Sequence, residues 1–319
     1  MGDIALQTSW GVQIALYLFL GGLAGGTALV TGIVRLKWGE QFKGLTCFGA
    51  WASVLLLIAG VLCLVTEVTM PLRAMQLWVA FTNPASWMTI GAWLLVAGIV
   101  ATGLFALAST PAIANKVLGQ KAGAAQRVLA AISAVLGTCI AIYTGILLCV
   151  LVNHPLWNTP LLPVLFTVSA LDTGIALVCL HLALAKPAKG AVEAQPAEKA
   201  AENAPEQKAG AEPLVALLEK CSVGLIAAEA MVLVLLLALV NGAGTVGALS
   251  VWVLAAGPLA APFWGLLVVA GLAVPLALEL LQLKGRHAQW MAVAAPALIL
   301  AGGLALRFLI LYAGLPLGL

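Results

Sequence analysis

LTCFGAWASVLLLIAGVLCLVT occupies positions 45–66, and Glu67 follows it directly. As a helix, this uncharged run is a rod of about 33 Å, enough to cross the hydrocarbon core of a bilayer. A carboxylate at the rim of such a run is costly unless it faces protein or a water-filled cavity. Position alone therefore makes Glu67 a functional candidate. Runs of similar length recur at roughly 10–34, 86–109, 127–151, 161–185, 214–240, 261–283 and 290–312. Together they predict an all-α integral membrane protein with eight transmembrane helices. The composition, 63% hydrophobic and only 8% charged, excludes a soluble globular domain, in which about a quarter of the residues are charged. A ninth apolar stretch, 246–256, is too short to span and is read as a segment on the outer surface. The N-terminus has neither a basic leader nor a clear small-residue cleavage site, so 10–34 is read as a retained span.

The basic residues set an expected orientation. Arg35, Lys37 and Lys43 lie in the first loop, Lys116, Lys121 and Arg127 in the third, and Lys284 and Arg286 in the seventh. The fifth carries Lys186, Lys189, Lys199, Lys208 and Lys220, whereas the even loops hold little base beyond Arg73. The odd loops are expected in the cytoplasm and both termini on the outer, periplasmic side, in a bacterial cytoplasmic membrane. The stretch 186–213, KPAKGAVEAQPAEKAAENAPEQKAGAEP, has no aromatic and almost no apolar residue. It is read as a flexible cytoplasmic linker between helices 1–5 (residues 1–185) and helices 6–8 (residues 214–319).

Cofactor ligands are scarce. The six cysteines form no CxxC pair and suit buried small hydrophobes. Iron–sulfur ligation needs clustered thiolates, and a bis-histidine haem needs two helix-borne histidines at one depth. Of His154, His181 and His287, only His181 falls within a helix. Neither a haem nor a cluster is expected in this chain, and no metal site is.

Polar residues gather toward the outer face. Gln13 and Tyr17 are four apart in the first turns of helix 1, sharing one side. Glu67 ends helix 2, Tyr143 sits in the outer third of helix 4, His154 follows in NHPLWNTP (153–160), and Asp172 lies about ten residues into helix 5. Tyrosine and tryptophan also populate interfacial belts, which is the competing reading for Trp78 and Trp157. Gln13 also suits a helix end. A second set, Glu229, Glu279 and Arg307, runs inward through helices 6–8. It reads either as a buried ion pair, with an acid from another helix as the partner of Arg307, or as a proton or water path. The glycines of GGLAGG (21–26) form small-xxx-small faces for close helix packing.

Three stretches carry a family resemblance. WGVQIALYLFLGGLAGG (10–26), TEVTMPLRAMQLWVAFTNPASWMTIGAW (66–93) and YTGILLCVLVNHPLWNTPLLPVLFTVSALDTG (143–174) resemble the NrfD/polysulfide reductase membrane-subunit family, in order and at its spacing. The resemblance implies two four-helix bundles and a quinone-handling anchor. It also implies partners: a four-cluster, ferredoxin-like iron–sulfur subunit and a molybdopterin catalytic subunit. Membrane lipid is the surrounding medium, and no nucleic acid is a partner. In polysulfide-reductase-type members the quinone lies on the outer side of the first bundle, against a polar pair on helix 1 and a tyrosine on helix 4. Carried over, these positions fall on Tyr17, with Gln13 or Ile14 beside it, and on Tyr143. This sequence departs from the pattern by having Tyr17 where the polysulfide type has histidine.

The expectation is thus that menaquinone or ubiquinone binds near Gln13, Tyr17, Tyr143 and His154, with Glu67 and Asp172 accepting protons. Arg73 is expected to face a docking partner or lipid headgroups. A passive anchor without quinone chemistry and a proton-coupled transporter are the alternatives, and the direction of electron flow stays open.

Overall fold

A helix satisfies every backbone polar group within its own segment, which lipid demands of a spanning element. The computed structural model describes residues 10–67, 86–185, 204–286 and 288–317, and all regular structure among them is helical. Eight of these helices are long and apolar enough to span: α1 (Val12–Trp38), α2 (Lys43–Glu67), α3 (Trp87–Ser109), α4 (Ala122–Cys149), α5 (Leu161–Ala185), α6 (Ala204–Asn241), α7 (Ala260–Leu283) and α8 (Gln289–Ala313). The protein is a multi-pass integral membrane protein. A short helix, Thr245–Ala255, joins α6 to α7 at the position of the ninth apolar stretch. Arg73, Trp78, His287 and residues 186–203 lie outside the described residues, as does the side chain of Glu67.

Local chemistry marks the helix ends. Gly39, at φ +62°, closes α1 with its N–H on the Arg35 carbonyl at 3.1 Å, a left-handed conformation that glycine adopts without a Cβ penalty. Extended Ser86 precedes α3, and extended Thr110 followed by Pro111 ends it. Pro275 is buried in α7, and the ladder before it, Phe263–Ala273, is π-wound. A proline supplies no N–H and crowds the preceding turn, and a local π ladder accommodates such a break.

Two helix boundaries differ from the expectation. α6 begins at Ala204, so the last ten residues of the stretch read as linker are helical and Pro213 lies inside the helix. The reason is propensity: Ala, Glu, Gln and Lys are strong helix formers whatever their hydropathy. α1 continues to Trp38, four residues beyond the hydrophobic run, and draws Arg35 into the protein.

α1 packs against α2, α4, α5 and α8, and α5 packs against α1, α4, α6 and α8. Contacts also join α2 to α3, α3 to α4, α6 to α7 and α7 to α8. α1 and α5 are therefore central, and their glycines permit it. A Cβ on Gly25 would strike the Gly137 carbonyl of α4, and one on Gly26 the Ala170 carbonyl of α5. Apolar side chains on the outer surface, such as Leu55, Leu62, Val135 and Val234, are exposed and suit contact with lipid.

Candidate functional site

Tyr17 of α1 and Tyr143 of α4 come together near the end of the molecule that carries the α4–α5 loop. Both are almost fully enclosed, at 1% and 5% exposure, and Tyr17 lies within the electrostatic reach of Tyr143. The Tyr17 ring rests near Gly60 of α2, where an added Cβ would sit 3.6 Å from Cδ2. The Tyr143 ring and hydroxyl lie against Gly91 of α3. The core around them includes Ile14, Leu57, Leu95, Ile140 and Leu148. A phenol donates one hydrogen bond and accepts others, and in apolar surroundings such bonds are stronger than in water. The arrangement thus offers two orienting hydroxyls from different helices in an apolar setting.

Gln13, His154 and Asp172, also expected at this site, have other surroundings. Gln13 is exposed at the start of α1 rather than enclosed with Tyr17. One helical turn separates them, and over that turn α1 emerges from the packed core. His154 takes part in a loop clasp. Its Nδ1 lies 3.0 Å from the Gly314 carbonyl, and its ring stacks on Trp157 with centroids 4.0 Å apart. Trp157, fully buried, donates from Nε1 to the Ile310 carbonyl at 2.8 Å and packs against Trp10. The Leu317 N–H donates to the Asn153 carbonyl at 2.7 Å. Together these contacts tie the loop to the C-terminal end of α8. Buried indole N–H groups need a partner, and the Ile310 carbonyl meets that need, so Trp157 is a core residue and not an interfacial belt residue. Asn158 caps α4 by donating to the Cys149 carbonyl at 2.6 Å.

Asp172 belongs to the inward set. It is 1% exposed and accepts a hydrogen bond from Ser222 of α6 at 2.6 Å, in the field of Glu229 and Glu279. Its depth along α5 is legible in the sequence, but its direction is not: it faces α6 instead of the phenols. Ser169, one turn earlier, accepts from Arg307 Nη1 of α8. Arg307 is wholly buried, and it also donates to the carbonyls of Gly303 at 3.2 Å and Phe166 at 3.1 Å. Its guanidinium carbon lies 4.8 Å from the Phe166 ring. Glu229 lies at the same serine and in the field of Arg307. The acid expected to partner Arg307 is therefore coupled to it across Ser169, and carbonyls supply most of the direct bonds.

Toward the other end, Glu279 of α7 lies beside Ser222 and in the field of Glu219. Its Oε2 and the Nε2 of Gln282 are buried without a hydrogen-bond partner. The result is a polar column through α5, α6, α7 and α8: Arg307, Ser169, Glu229, Asp172, Ser222, Glu279 and Gln282. Buried polar groups are ordinarily hydrogen-bonded, and unpaired ones in a polar cavity are where internal water sits. Ser169, Ser222 and Gln282 do not stand out in the sequence. Helical spacing is the available signal, since Ser169 and Asp172 are three apart, as are Glu279 and Gln282.

At the opposite end of the molecule, Arg35 is 1% exposed and donates to Gln126 Oε1 of α4 at 2.5 Å. Gln126 in turn donates to the Ala108 carbonyl, also at 2.5 Å. Arg35 also approaches Glu40 at 3.7 Å, and Lys43 holds that carboxylate more closely, at 2.7 Å. Lys43 first, and Arg35 after it, keep the Glu40 carboxyl below its ordinary range. An exposed pair of this kind adds little to stability.

The fold and the two polar sets define an eight-span helical membrane protein whose two sets bring together phenols in one and carboxylates with Arg307 in the other. The protein belongs to the polysulphide reductase NrfD family, whose profile matches residues 4–197 and 206–317. It is 31% identical over 322 residues to the C subunit of polysulfide reductase from Wolinella succinogenes, covering 96% of this sequence and 94% of that one. It is also 37% identical over 71 residues to a protein NrfD homolog of Haemophilus influenzae, a match confined to 21% of this sequence and 22% of that one.

Proposed function

We propose that this protein is the quinone-interacting membrane anchor of a respiratory oxidoreductase in a bacterial cytoplasmic membrane, with its electron-transfer partners on the outer face. The observation that carries the reading is the enclosed pair Tyr17 and Tyr143, contributed by α1 and α4 in an apolar core. A quinone head needs two hydrogen-bonding groups and an otherwise apolar berth, and this pair meets both needs. The reading draws further support from the similarity to a polysulfide reductase subunit along nearly the whole sequence.

In this mechanism, Tyr17 and Tyr143 hold the oxygens of menaquinol or ubiquinol. Oxidation of a quinol releases two electrons and two protons. The electrons leave to an iron–sulfur subunit docked on the outer face, which passes them to a molybdopterin catalytic subunit. Glu67, at the end of α2, takes up one released proton, and the other passes to water at the outer face. In the reverse direction the same groups serve quinone reduction. Asp172 is assigned to the second polar set: Arg307, Glu229, Asp172 and Glu279, bridged by Ser169 and Ser222, form a path for protons or water across the membrane. The unpartnered Glu279 and Gln282 atoms support that assignment, because a hydrated path would satisfy them.

The test is quinol oxidation by membranes containing the complete complex, with immunoblots to verify assembly. Tyr143→Phe is expected to lower kcat/KM about tenfold through one lost hydrogen bond. Glu67→Gln is expected to lower turnover about a hundredfold, as for loss of a proton acceptor. Normal quinol oxidation in both assembled variants would make the protein a passive anchor.

A further inference from the structure

Gly91 is a buried glycine that faces a side chain, as Gly49 faces Thr31 and Gly314 faces Trp157. Where Gly25 and Gly26 meet backbone carbonyls of neighbouring helices, a Cβ on Gly91 would strike Cζ, Cε1 and the hydroxyl oxygen of Tyr143. The first two are helix crossings, for which small residues are the usual solution. Gly91 instead leaves a notch on α3 that is filled by the reactive end of one side chain. Glycine is a poor helix former beside alanine, so local propensity gives no reason for it in α3. Gly91, Leu95 and Gly98 follow the i, i+4, i+7 spacing of a single helix face. On that face Leu95 is buried, and a Cβ on Gly98 would lie 2.5 Å from Ile140 Cδ1. Tyr143 and Ile140 are one turn apart on α4, so the α3 face receives both, the phenol at Gly91 and the aliphatic tip at Gly98. An isoleucine tip has rotamers with which to yield. A tyrosine ring is stiff beyond χ2, and a methyl at Gly91 must move the hydroxyl itself.

We propose that Gly91 is a positioning residue for Tyr143: its missing side chain sets the direction and depth at which the Tyr143 hydroxyl meets the quinone. This rests on the quinone reading above and adds a residue on α3 to it. A hydrogen bond weakens steeply with angle and distance, so displacing the phenol by the width of a methyl removes the bond while leaving the hydroxyl in place.

The experiment titrates the purified full-length protein with 2-heptyl-4-hydroxyquinoline N-oxide, a fluorescent quinol analogue whose emission is quenched on binding. Gly91→Ala and Tyr143→Phe are each expected to weaken binding about tenfold, the loss of one hydrogen bond. The double variant should bind no worse than Tyr143→Phe alone, because a displaced hydroxyl and an absent one are equivalent. Gly98→Ala, which crowds the same helix pair at Ile140, should bind as the parent does. If Gly91→Ala fails to insert, Gly91→Ala/Tyr143→Leu should restore insertion, because the struck ring is gone; failure to restore it overturns the proposal. Additive losses in the double variant, or an equal loss in Gly98→Ala, would reduce Gly91 to a packing residue. If Tyr143→Phe weakens binding and Gly91→Ala does not, the quinone reading stands and the role of Gly91 falls. If Tyr143→Phe binds normally, both fall.

Discussion

Arg307 carries a charge into α8 with no exposed surface, and no single acid neutralises it. Ser169 and two carbonyls accept from its Nη atoms while Nε is buried without a partner, the Phe166 ring covers its face, and Glu229 answers its charge across the shared serine. Burying a guanidinium is tolerable only when such bonds replace water. Removing it therefore leaves Glu229 uncompensated, at a cost of about 3–5 kcal/mol. Because the two groups share one environment, Arg307→Gln and Glu229→Gln should not add. The double variant is expected to be about 1–3 kcal/mol more stable than the sum of the singles, measured by unfolding in detergent. Strict additivity would uncouple them. The sequence marks both residues and offers an acid from another helix as one reading of the partner of Arg307, but it does not supply Ser169. A serine in an apolar helix carries no signal of its own until its neighbour is known.

At the scale of the helices, α1 is held by what it lacks. Gly25 and Gly26 admit the carbonyls of α4 and α5, whereas Gly44, at the start of α2, has open space around it. Gly25→Ala forces backbone against backbone and is expected to cost about 1–3 kcal/mol. Gly44→Ala should be neutral or stabilising by about 0.5 kcal/mol, through the unfolded state. Thermal unfolding midpoints in detergent check the contrast, and equal shifts would show that α1 does not depend on this crossing. The small-xxx-small pattern is legible in GGLAGG because close approach demands small residues in any fold. The start of α6 is not legible from hydropathy, since Ala204–Pro213 is polar and its helicity comes from propensity and continuity with the span.

For the whole molecule, the distribution of Lys and Arg predicts the side on which each loop lies. Val152→Cys, in the exposed α4–α5 loop of an otherwise cysteine-free protein, should react with a membrane-impermeant maleimide added from outside. Gln120→Cys, between α3 and α4, should react only after the membrane is opened. The reverse pattern would invert the orientation and move the quinone site to the cytoplasmic face. Eight spans and the membership of one family are legible from the sequence alone. Apolar length is a one-dimensional property, and backbone satisfaction in lipid leaves a long apolar run only the helix. Depth is legible too, because each residue advances a helix by a fixed rise. Azimuth is not. Asp172 faces Ser222, His154 clasps Gly314, and Arg35 bonds Gln126. Which neighbour a side chain meets depends on how each helix is rotated against the next, and contacts between residues far apart in the sequence set that rotation. The sequence by itself determined the helices, their number and the residues capable of chemistry. Only the tertiary structure decided that the two phenols share one enclosure and that Asp172, Glu229 and Glu279 share another.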